Sequence, residues 1–235
     1  MGVYNSIGFS AENIKHYYKK TMQENDQLKN MRLNYEQDQL LESNISNNPF
    51  AQFKFWFDLV QKANIIEPNA MTIATATKNG IPSARMVLLK GFDETGFTFF
   101  TNYESRKGKE LLENPYASIL FWWREFERQV RIEGKIKKIS RKESEQYFNM
   151  RPLKSRFGAL SSNQSEVVKS REVLERKFAE LEKQYGDNPP MSENWGGYKL
   201  LPNKFEFWQG RRDRLHDRIC YEKVNNDWKI YRLQP

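Results

Sequence analysis

Several short runs place cations where the ordinary rules of folding disfavour them. Ser105 has the form of a helix N-cap, yet Arg106 and Lys107 follow it directly, at the end of the helix dipole that favours negative charge. A phosphate on the free N–H groups of that first turn, with both side chains around it, removes the conflict; two side chains pointing into water is the plain alternative. Arg214, His216 and Arg218 alternate with Leu215 and Asp217, so an extended segment brings all three basic groups to one face. Like charges so close are tolerable around a bound anion or an electron-rich ring, or on a solvated edge strand. Trp208 and Gly210 just upstream favour a site. Arg151, Lys154 and Arg156 follow the expected end of a helix, where cations suit the dipole and require no ligand. Arg85 and Lys90 bracket the apolar run Met86, Val87, Leu88 and Leu89. Their odd separation puts them on opposite faces of a regular strand, so one ligand reaches both only at a bulge or from between them.

The chemistry these runs suit is the holding of small phosphorylated molecules. Lys and Arg outnumber Asp and Glu by 38 to 30, a net charge of +8 that points to anionic partners. Discrete cationic points within β segments fit a phosphorylated cofactor and substrate better than nucleic acid, which calls for a basic stripe on one exposed surface. His16 and His216 are the only histidines and Cys220 the only cysteine, which argues against a metal centre and leaves Cys220 as a small core residue. No H-E-x-x-H, Walker A or dinucleotide glycine fingerprint is present. The first thirty residues are polar, without a signal-peptide or membrane-spanning run, so a cytoplasmic protein is expected.

The elements that must position these residues follow from periodicity. Residues 1–45 lack an apolar stripe and read as an N-terminal arm, leaving 46–235 as the single main domain. Asn48 and Pro49 open an amphipathic helix whose stripe is Phe50, Phe53, Phe57 and Val60. From residue 70 the period becomes two, with strands expected at 71–77, 83–92, 97–102, 116–123, 126–139, 198–201, 204–209, 215–224 and 228–233. Helices are expected at 105–114, from the capping box at Ser140 to 149, and at 165–185. Antiparallel strands with helices outside predict a mainly β (α+β) fold, a closed or half-closed barrel.

At these same residues the chain resembles the pyridoxamine 5'-phosphate oxidase family, from about Arg32 to the C-terminus. The motifs are Arg85 to Lys90, Phe100-Thr-Asn102, Ser105-Arg-Lys107, Arg128-Gln-Val-Arg131, Arg151-Pro152, Gln164-Ser165, Trp195-Gly-Gly197, Phe207-Trp-Gln-Gly210 and Arg214-Leu-His-Asp-Arg218. The resemblance implies a six-stranded FMN-binding split β-barrel with flanking helices, acting as a homodimer with FMN at the subunit interface. It implies that FMN is held by Arg85, Met86, Val87, Leu88, Leu89, Lys90, Phe100, Thr101, Arg106, Lys107, Gln129, Gln164, Ser165, Trp208 and Arg218. Lys90, Tyr147, Arg151 and Ser155 would grip the substrate phosphate. Arg214, Leu215 and His216 would sit over the reacting part of the pyridine ring, Arg214 and His216 in the catalytic role, while Arg32 and Tyr35 would close over the site. The implied reaction oxidises pyridoxine 5'-phosphate and pyridoxamine 5'-phosphate to pyridoxal 5'-phosphate, with dioxygen as acceptor and hydrogen peroxide released. Arg156 and Leu160 depart from the family, which more often has Gln and Trp there. The rivals are another split-barrel flavoprotein with a different electron donor and, from a different class, a basic nucleic-acid-binding barrel.

Overall fold

The computed structural model describes residues 34–235; Arg32 and most of the N-terminal arm lie outside them. Glu36–Pro235 form one compact unit, to which Tyr35 does not belong. Among the described residues nine strands make a single antiparallel sheet: β1 (Ala70–Ala76), β2 (Pro82–Leu88), β3 (Gly91–Asp93), β4 (Gly96–Asn102), β5 (Tyr116–Trp123), β6 (Arg128–Lys138), β7 (Trp195–Gln209), β8 (Asp217–Val224) and β9 (Asp227–Arg232). They run in the order β2-β1-β5-β6-β7-β4-β3, with β8 on β7 and β9 on β8. The pivot is β7, which pairs with β4 through residues 195–200 and with β8 through 204–209, while β6 runs along its other edge. A bulge at Asn203, where the β6 partners step from Glu133–Lys204 to Gly134–Pro202, separates the two halves and bends the strand. The sheet curls into the half-barrel of a split-barrel fold.

Alternation along each strand sends one set of side chains into a common core. Met71, Ile73, Phe97, Phe99, Ile119, Phe121, Val130, Ile132, Phe205, Phe207, Ile219 and Tyr221 are completely buried, each worth about 1.5–3 kcal/mol by removal of apolar surface from water. Helix α1 (Pro49–Lys62) closes this face. Asn48 caps it by accepting from the Phe50 and Ala51 N–H groups, and Pro49 sits where its missing N–H costs nothing. Its stripe seats Phe53 at 4.9 Å from Phe97 and 5.1 Å from Phe121, and Trp56 at 5.3 Å from Phe207. The other helices are α2 (Arg106–Glu113), α3 (Arg141–Met150), α4 (Leu153–Ser161) and α5 (Arg171–Tyr185). No helix among the described residues is long and apolar enough to cross a membrane.

The sequence expectations need five corrections. The strand expected over 83–92 breaks at Leu89 and Lys90 into β2 and β3, because Leu89 turns into the core while Lys90 stays exposed. The two strands expected at 198–201 and 204–209 are one, carried through the bulge as β7. The helix expected from 165 starts only at Arg171, since Ser165 takes a left-handed φ of 76°. The strand expected from 215 begins at Asp217; Arg212–Arg214 form a 3-10 turn with Asp213 and Arg214 at φ 55° and 61°. Arg214 and His216 therefore do not share a strand face with Arg218. A helix absent from the expectation, α4, starts immediately after Pro152, so Lys154, Ser155 and Arg156, which follow the end of α3 as expected, also stand in the first turn of a second helix.

Candidate functional site

One cleft of about 1030 Å³ gathers five of the singled-out cations, Arg85, Lys90, Arg106, Lys107 and Arg151. It runs between β2, the end of β4, the start of α2, and the α3–α4 corner. Arg85, Met86, Val87, Leu88, Lys90, Phe100, Thr101, Arg106, Lys107, Gln164 and Ser165 line it, as do Tyr147, Arg151 and Ser155. Its size sits at the upper end of small-molecule sites, enough for a cofactor and a substrate together. The break between β2 and β3 brings Arg85 and Lys90 to one cleft despite their odd spacing. Leu89 lies in the core instead.

At one end the cations meet a helix start. Ser105, fully buried, caps α2 by accepting from the Gly108 N–H at 3.3 Å. Gly108 has to be glycine, because a Cβ there would stand 2.0 Å from the Tyr103 carbonyl oxygen and push α2 off the end of β4. Lys107 is buried, and its ammonium donates to Thr101 Oγ1 at 3.0 Å, Gln164 Oε1 at 2.9 Å and Ser105 Oγ at 3.3 Å. All three acceptors are neutral. Burial, and then the Arg85 charge, hold the Lys107 pKa down at about 8, against a smaller opposing pull from Glu110. Such a group gains from a bound anion. Glu110 is the buried acid here. Burial would raise its pKa, but hydrogen bonds from Ser83, Thr75 and Arg106 and the Arg85 charge overcome this and hold it at about 2.

The other end is aromatic and again cationic. Phe100 stacks on Tyr147 at 4.0 Å and on Trp195 at 5.4 Å, and Arg151 lies over the Trp195 ring at 4.9 Å. Arg151 Nη1 and Arg156 Nε are buried without a hydrogen-bond partner among the described residues. Buried donors of this kind are rare unless a ligand satisfies them. The donor set therefore fits a phosphate-bearing group at each end: arginine, lysine, hydroxyl and helix N–H at α2, arginine and Ser155 at the α3–α4 corner.

A second group of expected residues lies apart from this cleft. Gln129, Trp208 and Arg218 are register neighbours across β6, β7 and β8, on the face opposite Phe207 and Ile219 by alternation. Trp208 sits 4.7 Å from His216. Arg218 is held by Glu206 at 2.8 Å and by the Gln234 carbonyl at 2.9 Å. His216 Nδ1 accepts the Arg211 N–H at 3.1 Å, which puts the proton of the neutral ring on Nε2. Burial and the Arg214 charge lower its pKa, with Asp217 opposing. Arg214 and Leu215 are exposed. None of these six residues lines the cleft of its own chain. Sequence reasoning missed Glu110 and its hydroxyl donors Thr75 and Ser83; the spacing of Arg106 and Glu110, four apart on one helix, was the available signal.

Fold and cleft together define a split-barrel protein with a cationic ligand cleft. Residues 59–185 match the family model described as pyridoxamine 5'-phosphate oxidase, and residues 195–235 match one described as the pyridoxine 5'-phosphate oxidase C-terminal dimerisation region. A pyridoxine/pyridoxamine 5'-phosphate oxidase of Trichormus variabilis is 55% identical over 207 residues, covering 87% of this chain and 97% of the relative. Among solved structures, PhzG of Burkholderia lata, in complex with tetrahydrophenazine-1-carboxylic acid, superposes with a TM-score of 0.80 at 35% identity over 84% of this chain and 98% of that one. A pyridoxamine 5'-phosphate oxidase-related, FMN-binding protein of Nostoc punctiforme has a TM-score of 0.64 at 17% identity, covering 81% of this chain and 100% of that one, and speaks for the fold alone. The chain belongs to the pyridoxamine 5'-phosphate oxidase family and is an oxidoreductase of that family.

Proposed function

We propose that this chain is a cytoplasmic, homodimeric, FMN-dependent oxidase. It converts pyridoxine 5'-phosphate and pyridoxamine 5'-phosphate to pyridoxal 5'-phosphate, with dioxygen as acceptor and hydrogen peroxide released, in vitamin B6 biosynthesis and salvage. The observation that carries this reading is one cleft with two separate anion anchors, Arg85, Arg106 and Lys107 at one end and Arg151 with Ser155 at the other. One anchor serves the cofactor phosphate, the other the substrate phosphate. FMN, when bound, supplies the acceptor for a hydride leaving the substrate 4' carbon. Arg85, Arg106, Lys107, Thr101, Gln164 and Ser165 hold its phosphate side. Lys90, Tyr147, Arg151 and Ser155 fix the substrate by its phosphate, which sets the reacting carbon in place without a strong acid or base. Arg214 and the neutral His216, contributed by the partner subunit with Gln129, Trp208 and Arg218, orient the ring and balance charge at the 4' substituent. With the amine substrate, water hydrolyses the resulting imine.

Peroxide release measured with each phosphorylated vitamer beside its unphosphorylated form tests the reading. Peroxide should form in step with pyridoxal 5'-phosphate and only from phosphorylated substrates. Equal rates without the phosphate, or a colourless protein that takes up no FMN, would overturn it. Preferential oxidation of a tricyclic carboxylate such as the PhzG ligand would favour a split-barrel flavoprotein with another donor.

The Lys107 pKa also makes a prediction. Below about pH 8 the side chain is already charged; above it, binding a phosphate dianion requires proton uptake. FMN affinity should therefore be flat from pH 7 to 8 and then fall by up to about tenfold per pH unit. Titration of FMN at pH 7, 8 and 9 measures this, and Lys107→Arg, which keeps its charge, should flatten the curve. A wild-type curve already flat to pH 9 would contradict the assignment.

A further inference from the structure

Behind Arg85 and Arg106, at one end of the cleft, stands a buried carboxylate to which none of the roles above assigns a part. Glu110 is 4% exposed and stands one helical turn behind Arg106 on α2. Its Oε1 accepts Arg106 Nε at 2.9 Å. Its Oε2 accepts the Thr75 hydroxyl, the Ser83 hydroxyl at 2.6 Å, and Arg85 Nη2 at 3.3 Å. Arg85 in turn donates to the same two hydroxyls. Thr75 and Ser83 are thus relays, each accepting from the guanidinium and donating to the carboxylate. The whole group is a closed network that ties β1, β2 and α2 together through one acid.

A negative charge beside a phosphate site is unfavourable by Coulomb's law. Its presence needs an offsetting benefit, and the geometry supplies one. The Arg106 side chain is 60% exposed and, untethered, would sample many rotamers; the bond from Nε to Glu110 fixes its direction and leaves both terminal amino groups for a ligand. Arg85 is fixed in plane by two hydroxyls and the carboxylate.

We propose that Glu110 is a positioning residue that preorganises Arg85 and Arg106 for the cofactor phosphate. The inference rests on the FMN reading above. Its strength is that two opposed effects predict opposite signs. If Glu110 acted only as a charge, Glu110→Gln would tighten FMN binding. If it positions the two arginines, the same change weakens it.

The test titrates flavin-stripped, full-length protein with FMN and with riboflavin, which lacks the phosphate, and records melting temperatures. Glu110→Gln is expected to weaken FMN binding roughly tenfold while riboflavin binding stays within about twofold. Glu110→Asp keeps the charge but shortens its reach, so it should resemble the Gln variant, and it carries the test if Glu110→Gln does not fold. FMN binding that is unchanged or tighter in the variant overturns the proposal. So does an equal loss for FMN and riboflavin with a lowered melting temperature, which marks a general structural role. A wild-type protein that binds neither flavin, or binds both equally, fails the FMN reading itself and is distinguished by that control.

Discussion

Co-expression of Arg151→Leu and Arg214→Leu subunits is expected to restore activity that neither variant has alone. Arg151 lines the cleft beside Tyr147 and Ser155, whereas Arg214 and His216 lie outside it with Trp208 and Arg218. If both groups act on one substrate, two chains must supply them. Each homodimeric variant then carries the same lesion in both sites. In a mixed dimer one site collects both lesions and the other collects neither. Random pairing makes half of the dimers mixed, so roughly one quarter of all sites are intact. Activity near a quarter of wild type, from variants each reduced at least about tenfold, is a gain no single-chain site can produce. Differently tagged subunits purified through both tags should rise to about half. Failure to exceed the two variants' own activities, with mixed dimers demonstrated by the double tag, would place Arg151 and Arg214 in the same subunit's site and remove the shared-site reading.

What the sequence disclosed about this arrangement, and what it hid, follows from the range of each interaction. The cap at Asn48, the capping box at Ser140 and the aromatic stripe of α1 are local rules, and each is where the periodicity puts it. The conflict at Ser105, Arg106 and Lys107 was also local, and it marked a cationic end of the cleft. The run from Arg151 to Arg156 follows the end of a helix, as its sequence suggests, but Pro152 also opens the next one, since a proline just before a first turn loses no hydrogen bond. That second helix start changes the meaning of Arg151 and Ser155. Alternation could not reveal that Asp213 and Arg214 turn left-handed, because asparate-containing turns adopt that conformation without a glycine to announce it. The largest gap is long-range. Trp208 and Lys107 both carry family motifs, but only the folded chain shows that Lys107 lines the cleft and Trp208 does not.

Three buried acids make the cation distribution intelligible. Glu110 binds Arg85 and Arg106. Glu206 binds Arg131 and Arg218. Asp217 binds Arg211 and Arg232 and accepts the Leu40 N–H, tying Leu40 to the strand beside His216. Lys107 and Arg151 have no carboxylate partner among the described residues. These cations therefore divide into those met by a buried carboxylate and those with none among the described residues.

Arg214→Leu and Arg218→Leu should separate along that division. Arg214 is exposed and makes no hydrogen bond among the described residues, and its backbone is already left-handed, a cost that leucine shares. Its loss leaves the fold intact and removes a charge-assisted contact to substrate worth roughly 1.5–3 kcal/mol, or about 10- to 150-fold in kcat/KM. FMN affinity should change little. Because the Arg214 charge helps to depress the His216 pKa, removing it lets that pKa rise, so the acid limb of any activity profile governed by neutral His216 should move to higher pH. Arg218 is locked between Glu206 and the Gln234 carbonyl. Its replacement leaves a buried Glu206 with only Arg131 and should release FMN first, with activity returning when FMN is added in excess. Flavin titration and steady-state kinetics on both variants measure the split. An Arg214→Leu protein that loses flavin yet turns over normally at saturating FMN would reverse the assignment, because it would make Arg214 a cofactor residue and leave the substrate ring without its partner-subunit cation.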